Sequence, residues 1–329
     1  MNPVPDIDVA NARLPGFLSE RLARDERRIA VVGARGWIGR TALALLREAL
    51  GEEAFNARVV CFGSSAGLVD GTIPVLPLAA LADLPHRPTL LLHLAFLTKD
   101  KVADMAQEAY VSANETLSGT IASALDAIGV DRLFVASSGA AAFADDPAAA
   151  PDLRLYGRMK RDDEERFAAW AEAGAGRRVA NGRIYSVSGP WMNKHEVYAL
   201  ASFILDALAG KPIEVTAPRP VWRSYVAVRE LLAVVLALLT DTVGPAVTAF
   251  ETGGEALELA DVAAAVARVC GGSVRRRPIT ELTINRYCGD DVAWQGLLKA
   301  HGLSHLALDA QVSETAAFLA RELGAGPSR

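Results

Sequence analysis

Short, wholly apolar runs alternate with longer stretches of helical spacing through much of the chain. Ile29–Val32 is a run of β-branched and small apolar residues, the kind that lies buried in a parallel sheet. It breaks at Gly33, and from Ile38 onward the apolar positions fall at helical intervals: Ile38, Ala42, Leu45 and Leu46. Further strand-like runs follow at 58–62, 89–95, 132–137 and 179–185, with helical segments over 102–128 and 157–173 between them. This alternation predicts right-handed βαβ units and a doubly wound parallel sheet covered on both faces, with ligands at the carboxyl ends of the strands. Leu14, Phe17, Leu18 and Leu22 share one helical face, so a short amphipathic helix is expected in an N-terminal extension, residues 1–26. It would pack on the body or on a second subunit. Beyond Gly189-Pro190 the loops become richer in proline (Pro212, Pro218, Pro220), and helices stand apart from isolated strands. That change predicts a smaller α/β lobe built from segments that return to the sheet.

Composition narrows the class. Of 329 residues, 51% are hydrophobic and 22% charged, which fits a compact α/β enzyme. A formal charge of −5 argues against nucleic acid as the main partner, and Arg275–Arg277 is too short a cluster to change that. Cys61, Cys270 and Cys288 form neither a disulfide framework nor a zinc pattern, and Cys61 reads as a small core residue. His301 and His305 stand one helical turn apart without a third ligand, so no metal site is expected. The run Leu231–Leu239 is about half the length of a membrane crossing and reads as a buried helix. The N-terminus has no basic segment followed by an apolar block, so the expected compartment is the cytoplasm, with no membrane partner.

Two constellations carry chemistry. Gly33-Ala-Arg35-Gly36-Trp37-Ile38-Gly39 joins the first strand to the first long helix. Glycines there let the chain turn sharply and approach a pyrophosphate, while the helix start supplies unpaired N–H donors and a positive dipole end. The second is Ser137-Ser138 at a strand end, followed by Tyr156-Gly-Arg-Met-Lys160. Tyr156 and Lys160 lie one turn apart on a helix face. A free phenol has a pKa of about 10 and is a poor acid–base group at neutral pH. A neighbouring ammonium favours the phenolate and brings the phenol toward working pH.

In this order and spacing the motifs resemble the extended short-chain dehydrogenase/reductase superfamily, in its NAD-dependent epimerase/dehydratase branch acting on nucleotide sugars. The likeness covers nearly all of residues 28–320. It implies a Rossmann-type sheet over 27–182 plus about 221–248, and a C-terminal substrate lobe over 183–220 plus 249–329. Gly33-x-x-Gly36-x-x-Gly39 matches the cofactor loop. His93-Leu94-Ala95 matches the strand-end motif beside the cofactor, and Asn114 the helix asparagine. Val135-Ala-Ser-Ser-Gly matches the catalytic serine strand and assigns the hydroxyl to Ser138, with Tyr156 and Lys160 as the family pair. Arg183–Pro190 resembles the R-x-x-N-V-Y-G-P segment, which places Ser186 at the substrate. Arg223–Glu230 resembles R-D-F-V-x-V-x-D, whose arginine meets the nucleotide diphosphate; otherwise Arg223 pairs with an acidic neighbour. Phe250-Glu-Thr-Gly-Gly and the helix after it resemble the N-x-G strand. The likeness also implies a homodimer through the 102–128 and 157–173 helices.

The departures refine the expectation. Where NAD-binding members end the second strand with an acid, this chain has Gly63 followed by Ser64 and Ser65. Arg35 stands where a guanidinium could face a 2′-phosphate; otherwise it is a solvated loop side chain. Both features point to NADP(H), with NAD(H) as the alternative. Gly139 and Ala140 replace the acids that dehydratases carry after the serine, which disfavours 4,6-dehydration. The expected activity is a 4-ketoreductase or 4-epimerase acting on a sugar C4 keto or hydroxyl group. Ser186 and Ser224, in place of asparagine and aspartate, keep open a reductase of a non-sugar carbonyl, similar to dihydroflavonol reductases. A non-catalytic cofactor-sensing regulator is a third reading, and the retained Tyr156–Lys160 pair speaks against it. Lys194 and His195, after Gly189-Pro190, either line the substrate mouth or are inert loop residues.

Overall fold

The computed structural model describes residues 13–195 and 197–324, so residues 1–12 of the expected N-terminal extension lie outside the described residues. In chain order the elements are α1 (Gly16–Arg24), β1 (Arg28–Val32), α2 (Trp37–Arg58), β2 (Val59–Gly63), β3 (Gly67–Val69), β4 (Ile73–Pro77), β5 (Thr89–His93), α3 (Gln107–Ala124), β6 (Val130–Ser138), α4 (Pro151–Glu172) and β7 (Arg178–Ile184). They continue with β8 (Ser186–Ser188), α5 (Ala199–Leu208), β9 (Ile213–Val215), β10 (Val221–Arg223), β11 (Tyr225–Ala227), α6 (Val228–Thr240), β12 (Val247–Glu251), β13 (Leu257–Glu258), α7 (Leu259–Cys270), β14 (Val274–Arg276), β15 (Asn285–Tyr287), α8 (Asp291–Ala300) and α9 (Leu308–Gly324).

The chain divides into two compact units, one comprising Leu14–Ile184 with Val235–Glu251 and the other Tyr185–Val234 with the chain from Thr252 onward. The first unit carries an eight-stranded sheet in the order β12-β7-β6-β5-β1-β2-β4-β3, parallel except for the β3–β4 pair. Every residue of β1 and β5 is buried, which a strand reaches only when both faces of its sheet are covered. Ile121 and Ala124 of α3 and Phe167 and Ala171 of α4 join Val32, Leu91, Leu133 and Val135 in one continuous core. This is a Rossmann-type α/β fold. The register pairs Val32 with both Phe62 and His93, so β1, β2 and β5 end side by side, where Gly33, Gly63 and Leu94 stand.

The boundaries differ from the sequence pattern in instructive ways. The helix carrying Tyr156 begins at Pro151, six residues before the expected start, because proline fits the first helical turn, where its missing N–H costs nothing. The helix expected over 102–128 is shorter, Gln107–Ala124, and a separate 3₁₀ turn, Lys99–Ala103, precedes it. The β3–β4 hairpin extends the sheet beyond what periodicity marked, since two short strands around Asp70 and Gly71 give no run long enough to read. The amphipathic helix ahead of the first strand is α1, with Leu18 and Leu22 fully buried and Arg58 donating to the Leu22 carbonyl at 2.9 Å.

The second unit holds three small sheets, β13-β10-β15, β11-β8 and β14-β9, with α5, α7, α8 and α9. Buried Gln311 of α9 accepts from Ser188 at 2.7 Å and donates to the Tyr225 carbonyl at 3.2 Å, tying the helix to β8 and β11. Buried Glu230 accepts from Trp294 Nε1 at 2.7 Å, His305 Nδ1 at 2.9 Å and the Leu306 amide at 2.7 Å. The hydrogen bond from His305 to Glu230 raises the imidazole pKa against the opposing effect of burial. The stabilisation from this pair is therefore complete below the ordinary histidine range and is lost as pH rises through the raised value. We expect thermal melts to show a small loss of stability over that range in the wild type, and none in His305→Gln.

Candidate active site

The glycine turn is built by steric necessity. Gly33 takes a φ of 93°, and a Cβ there would lie 2.8 Å from the backbone of Leu94 and Ala95. A Cβ at Gly39 would lie 2.3 Å from the Gly33 carbonyl oxygen. The first glycine thus lets the turn meet the end of β5, and the third lets α2 close onto the turn. Gly36 is the N-cap of α2; no side chain caps that first turn and no acidic residue sits in it. Helix-start amides without an intrahelical acceptor or a side-chain cap suit a phosphate. The residues present therefore fit a dinucleotide pyrophosphate, with Trp37 and Ile38 in the same turn.

Arg35 lies across the end of β2. Its Nη1 donates to Ser65 Oγ at 3.4 Å, and the guanidinium fills the space over two glycines: a Cβ would meet Nη1 at 3.3 Å from Gly63 and Nη2 at 2.5 Å from Gly67. Ser64 and Ser65 are exposed beside it.

On the other side of β1, Leu94 and Ala95 begin a loop held from beneath by α3. Asn114 is buried; its Oδ1 accepts from the Leu97 amide at 2.8 Å and its Nδ2 donates to the Tyr110 carbonyl at 3.3 Å, while the Tyr110 hydroxyl donates to the Leu97 carbonyl at 2.7 Å. Asn114 therefore acts on the backbone of the loop that carries Leu94 and Ala95. We expect Asn114→Ala to loosen this loop and weaken dinucleotide binding several-fold in calorimetric titration, because the Leu97 amide loses the side-chain oxygen that accepts from it.

Tyr156 and Lys160 lie on α4, facing the end of β6. Lys160 is buried; its Nζ donates to the Ala136 carbonyl at 2.8 Å, lies 3.7 Å from the centre of the Phe96 ring and 5.9 Å from that of Tyr156. Burial lowers its pKa to about 8, with Asp163 and Glu164 opposing the fall. The Phe96 and Tyr156 rings meet edge to face at 5.8 Å. Ser137 and Ser138 are divided by strand alternation. Ser137 Oγ donates to Glu164, whereas Ser138 caps the turn Gly139–Phe143, its Oγ accepting from the Ala140 amide at 3.2 Å. Gly157 sets the approach of α4 to that turn, because a Cβ there would stand 2.1 Å from the Ala140 carbonyl oxygen. Neither Gly157 nor Phe96 stands out in the sequence; the only signal for Gly157 is a glycine in the middle of a helical pattern.

Ser186 and Arg223 belong to the other unit. Ser186 pairs with Tyr225 in the β8–β11 ladder. Arg223 Nη1 donates to Asn285 Oδ1 at 2.9 Å and to the Trp222 carbonyl at 2.8 Å, and its guanidinium carbon lies 5.9 Å from the centre of the Tyr287 ring. Among the described residues it has no carboxylate partner, and burial lowers its pKa. Ser224 is fully buried and accepts from the Gly289 amide at 3.3 Å, which makes it part of the frame. On the loop after β8, His195 Nε2 meets the Met192 carbonyl at 2.7 Å and Lys194 takes a φ of 56°.

The glycine turn at the strand ends and the Tyr156–Lys160 pair of α4 thus belong to the same unit of the chain. Residues 29–251 match the model of the NAD dependent epimerase/dehydratase family, and the chain belongs to that family of enzymes. Among solved structures it is similar to MoeE5 in complex with UDP-glucose and NAD (TM-score 0.69, 21% identity, 90% of this chain and 99% of that chain covered). It is similar to the UDP-glucose 4-epimerase of Thermotoga maritima with UDP-glucose (TM-score 0.71, 17% identity, 90% and 99% covered). A third likeness is to a DesIV double mutant, a dTDP-glucose 4,6-dehydratase from Streptomyces venezuelae, with NAD bound (TM-score 0.67, 17% identity, 90% and 98% covered). No curated protein sequence matches the chain. At these identities the structural likeness establishes the fold. Among the described residues no helix is long and apolar enough to cross a membrane.

Proposed function

We propose that the chain is an NADP(H)-dependent oxidoreductase acting at the C4 keto or hydroxyl group of a nucleotide-linked hexose, as a 4-ketoreductase or 4-epimerase. The observation that carries this reading is the seat of Lys160: its ammonium, fixed on the Ala136 carbonyl and the Phe96 ring, lies on the face of α4 that bears Tyr156, beside the strand that ends in Ser138. Gly33, Gly36 and Gly39, the first turn of α2 at Trp37 and Ile38, and Leu94 and Ala95 would hold the dinucleotide. A nicotinamide dinucleotide held there would supply the hydride chemistry. Tyr156 gives a proton to the carbonyl oxygen in reduction, or takes it from the hydroxyl in oxidation. Lys160 favours the phenolate and would hold the nicotinamide ribose, and Ser138 orients the reacting oxygen. Gly139, Ala140 and Ala141 are buried after Ser138 and offer no acid or base for dehydration.

Preference for NADP(H) is supported by the slot that Gly63 and Gly67 open for the Arg35 guanidinium, with Ser65 at its edge. A charge-assisted hydrogen bond contributes about 1.5–3 kcal/mol, roughly ten- to a hundredfold in Kd. We expect Gly63→Asp, which sets a carboxylate against Arg35, to weaken NADPH binding by that factor and to strengthen NADH binding. Wild-type protein that binds NADH more tightly than NADPH contradicts the preference.

Arg223 lacks a carboxylate partner among the described residues, as suits a group that meets a substrate diphosphate. A thermal-shift panel of UDP, GDP, CDP and dTDP tests the substrate class. Stabilisation by at least one, lost in Arg223→Met, is the expected result. No response to any of them moves the assignment to a non-sugar carbonyl. Homodimerisation through α3 and α4 belongs to the same proposal. The exposed Arg158, Asp162, Glu165 and Arg166 would make that contact polar and its dissociation salt-dependent, as light scattering would show.

A further inference from the structure

Two opposite charges are buried together behind Tyr156. Lys160 is 4% exposed and makes no ion pair among the described residues, its Nζ being held by the Ala136 carbonyl and the Phe96 ring. One turn further along α4, Asp163 is 3% exposed. Its Oδ2 accepts from Ser118 Oγ of α3 at 2.8 Å, and His93 Nε2 at the end of β5 stands 3.7 Å away. Burial lowers the imidazole pKa of His93, against the hydrogen bond and charge of Asp163. The next carboxylate, Glu164, has a cation of its own: Arg183 of β7 grips it with Nε at 3.0 Å and Nη2 at 2.8 Å, and Ser137 donates to it as well. An unpaired carboxylate is strongly disfavoured away from water, and residues three apart on a helix are neighbours.

We propose that Asp163 is the counter-charge that keeps Lys160 protonated in its dry seat, which makes Asp163 a positioning residue for proton transfer at Tyr156. The inference rests on the roles given above to Tyr156 and Lys160. The groups that face the ammonium are Tyr156, Asp163 and Glu164 from its own helix, His93 from β5, the Ala136 carbonyl from β6 and the Phe96 ring. Burial pulls the amine down to about 8, and the charge of Asp163 is the larger of the two effects opposing it. In return, His93, Lys160 and Ser118 together outweigh burial at Asp163 and hold its carboxyl below the usual range. Removing the aspartate charge therefore lets the amine give up its proton at lower pH.

The test is an NMR titration of the Lys160 Nζ resonance in the full chain, which needs neither substrate nor turnover. The wild type is expected to titrate near pH 8 and Asp163→Asn about one unit lower, so that the ammonium fraction at that pH falls about fivefold. Glu164→Gln, which disturbs a carboxylate already paired with Arg183, should leave the midpoint within a few tenths of a unit. An unmoved midpoint in Asp163→Asn, or an equal movement in Glu164→Gln, overturns the proposal. Should Asp163→Asn fail to fold, the wild type supplies the answer: the Asp163 carboxyl carbon must shift in step with loss of the Lys160 proton, and a flat response overturns the coupling. The pH dependence of kcat separates positioning from a merely structural role. A loss confined to the alkaline limb supports the proposal, and an equal loss at every pH contradicts it. If the Lys160 midpoint moves as expected while Tyr156→Phe turns over normally, the roles given to the site fail and the coupling stands.

Discussion

Replacing Tyr156 by phenylalanine is expected to lower kcat by about 10²–10⁴-fold, the range that a positioned acid–base group contributes, while dinucleotide affinity and melting temperature stay close to wild type. The ring edge against Phe96 survives the change, because phenylalanine keeps the ring and loses only the hydroxyl. The seat of Lys160 also survives, since Nζ is held by the Ala136 carbonyl and the Phe96 ring. Stopped-flow absorbance of the reduced nicotinamide, beside calorimetric titration of the dinucleotide, separates the two effects. Full hydride transfer by the phenylalanine variant would remove Tyr156 from the chemistry. A loss of affinity equal to the loss of turnover would make it a binding residue instead.

The second large effect is expected at a residue with no chemistry of its own. Gly157→Ala places a methyl group 2.1 Å from the Ala140 carbonyl oxygen, and both contacting segments are backbone. No side chain can rotate away, so α4 must lift from the turn that follows Ser138. Overpacking of this kind costs about 1–3 kcal/mol, and a displacement of about 1 Å between reacting groups can cost about a hundredfold in rate. The variant should therefore melt lower and turn over far more slowly, with dinucleotide affinity less affected, because the cradle at Gly33–Gly39 lies on other elements. Unchanged melting and unchanged kcat would mean that α4 and the Ser138 turn are not held in contact as described.

Much of this arrangement is legible in the chain because it depends on local periodicity. The strand before Gly33, the helical spacing after Ile38 and the Tyr156–Lys160 interval are properties of contiguous residues, and each lies where the pattern put it. The gaps arise where one segment answers another far away. Phe96 and Lys160 meet although they lie far apart in the chain, and the loop after β5 that carries Phe96 is held by Asn114. Gly63 stands out in the sequence, but Gly67 does not, and only the structure shows that a Cβ at either would meet the Arg35 guanidinium. Asp163 and Glu164 sit in an unbroken run of charged residues, 160–166, yet both are buried. Their partners, Ser118 and Arg183, come from α3 and β7, and no spacing rule within α4 announces them. Strand alternation could have separated Ser137 from Ser138, but only the position of Glu164 shows which of them is taken up internally.

The central claim is that a hydride moves between a bound nicotinamide and the C4 carbon of a nucleotide-linked sugar at Tyr156. Incubating the enzyme and its dinucleotide with a nucleotide hexose carrying deuterium at C4, and following the label by mass spectrometry, tests that claim most directly. Quenched within the first turnover, wild type is predicted to carry deuterium on the nicotinamide ring, whether or not the hydride later returns to the sugar as in epimerisation, and Tyr156→Phe to carry none. No deuterium on the nicotinamide at any quench time with any nucleotide that binds, or as much of it without the phenol, would contradict the account.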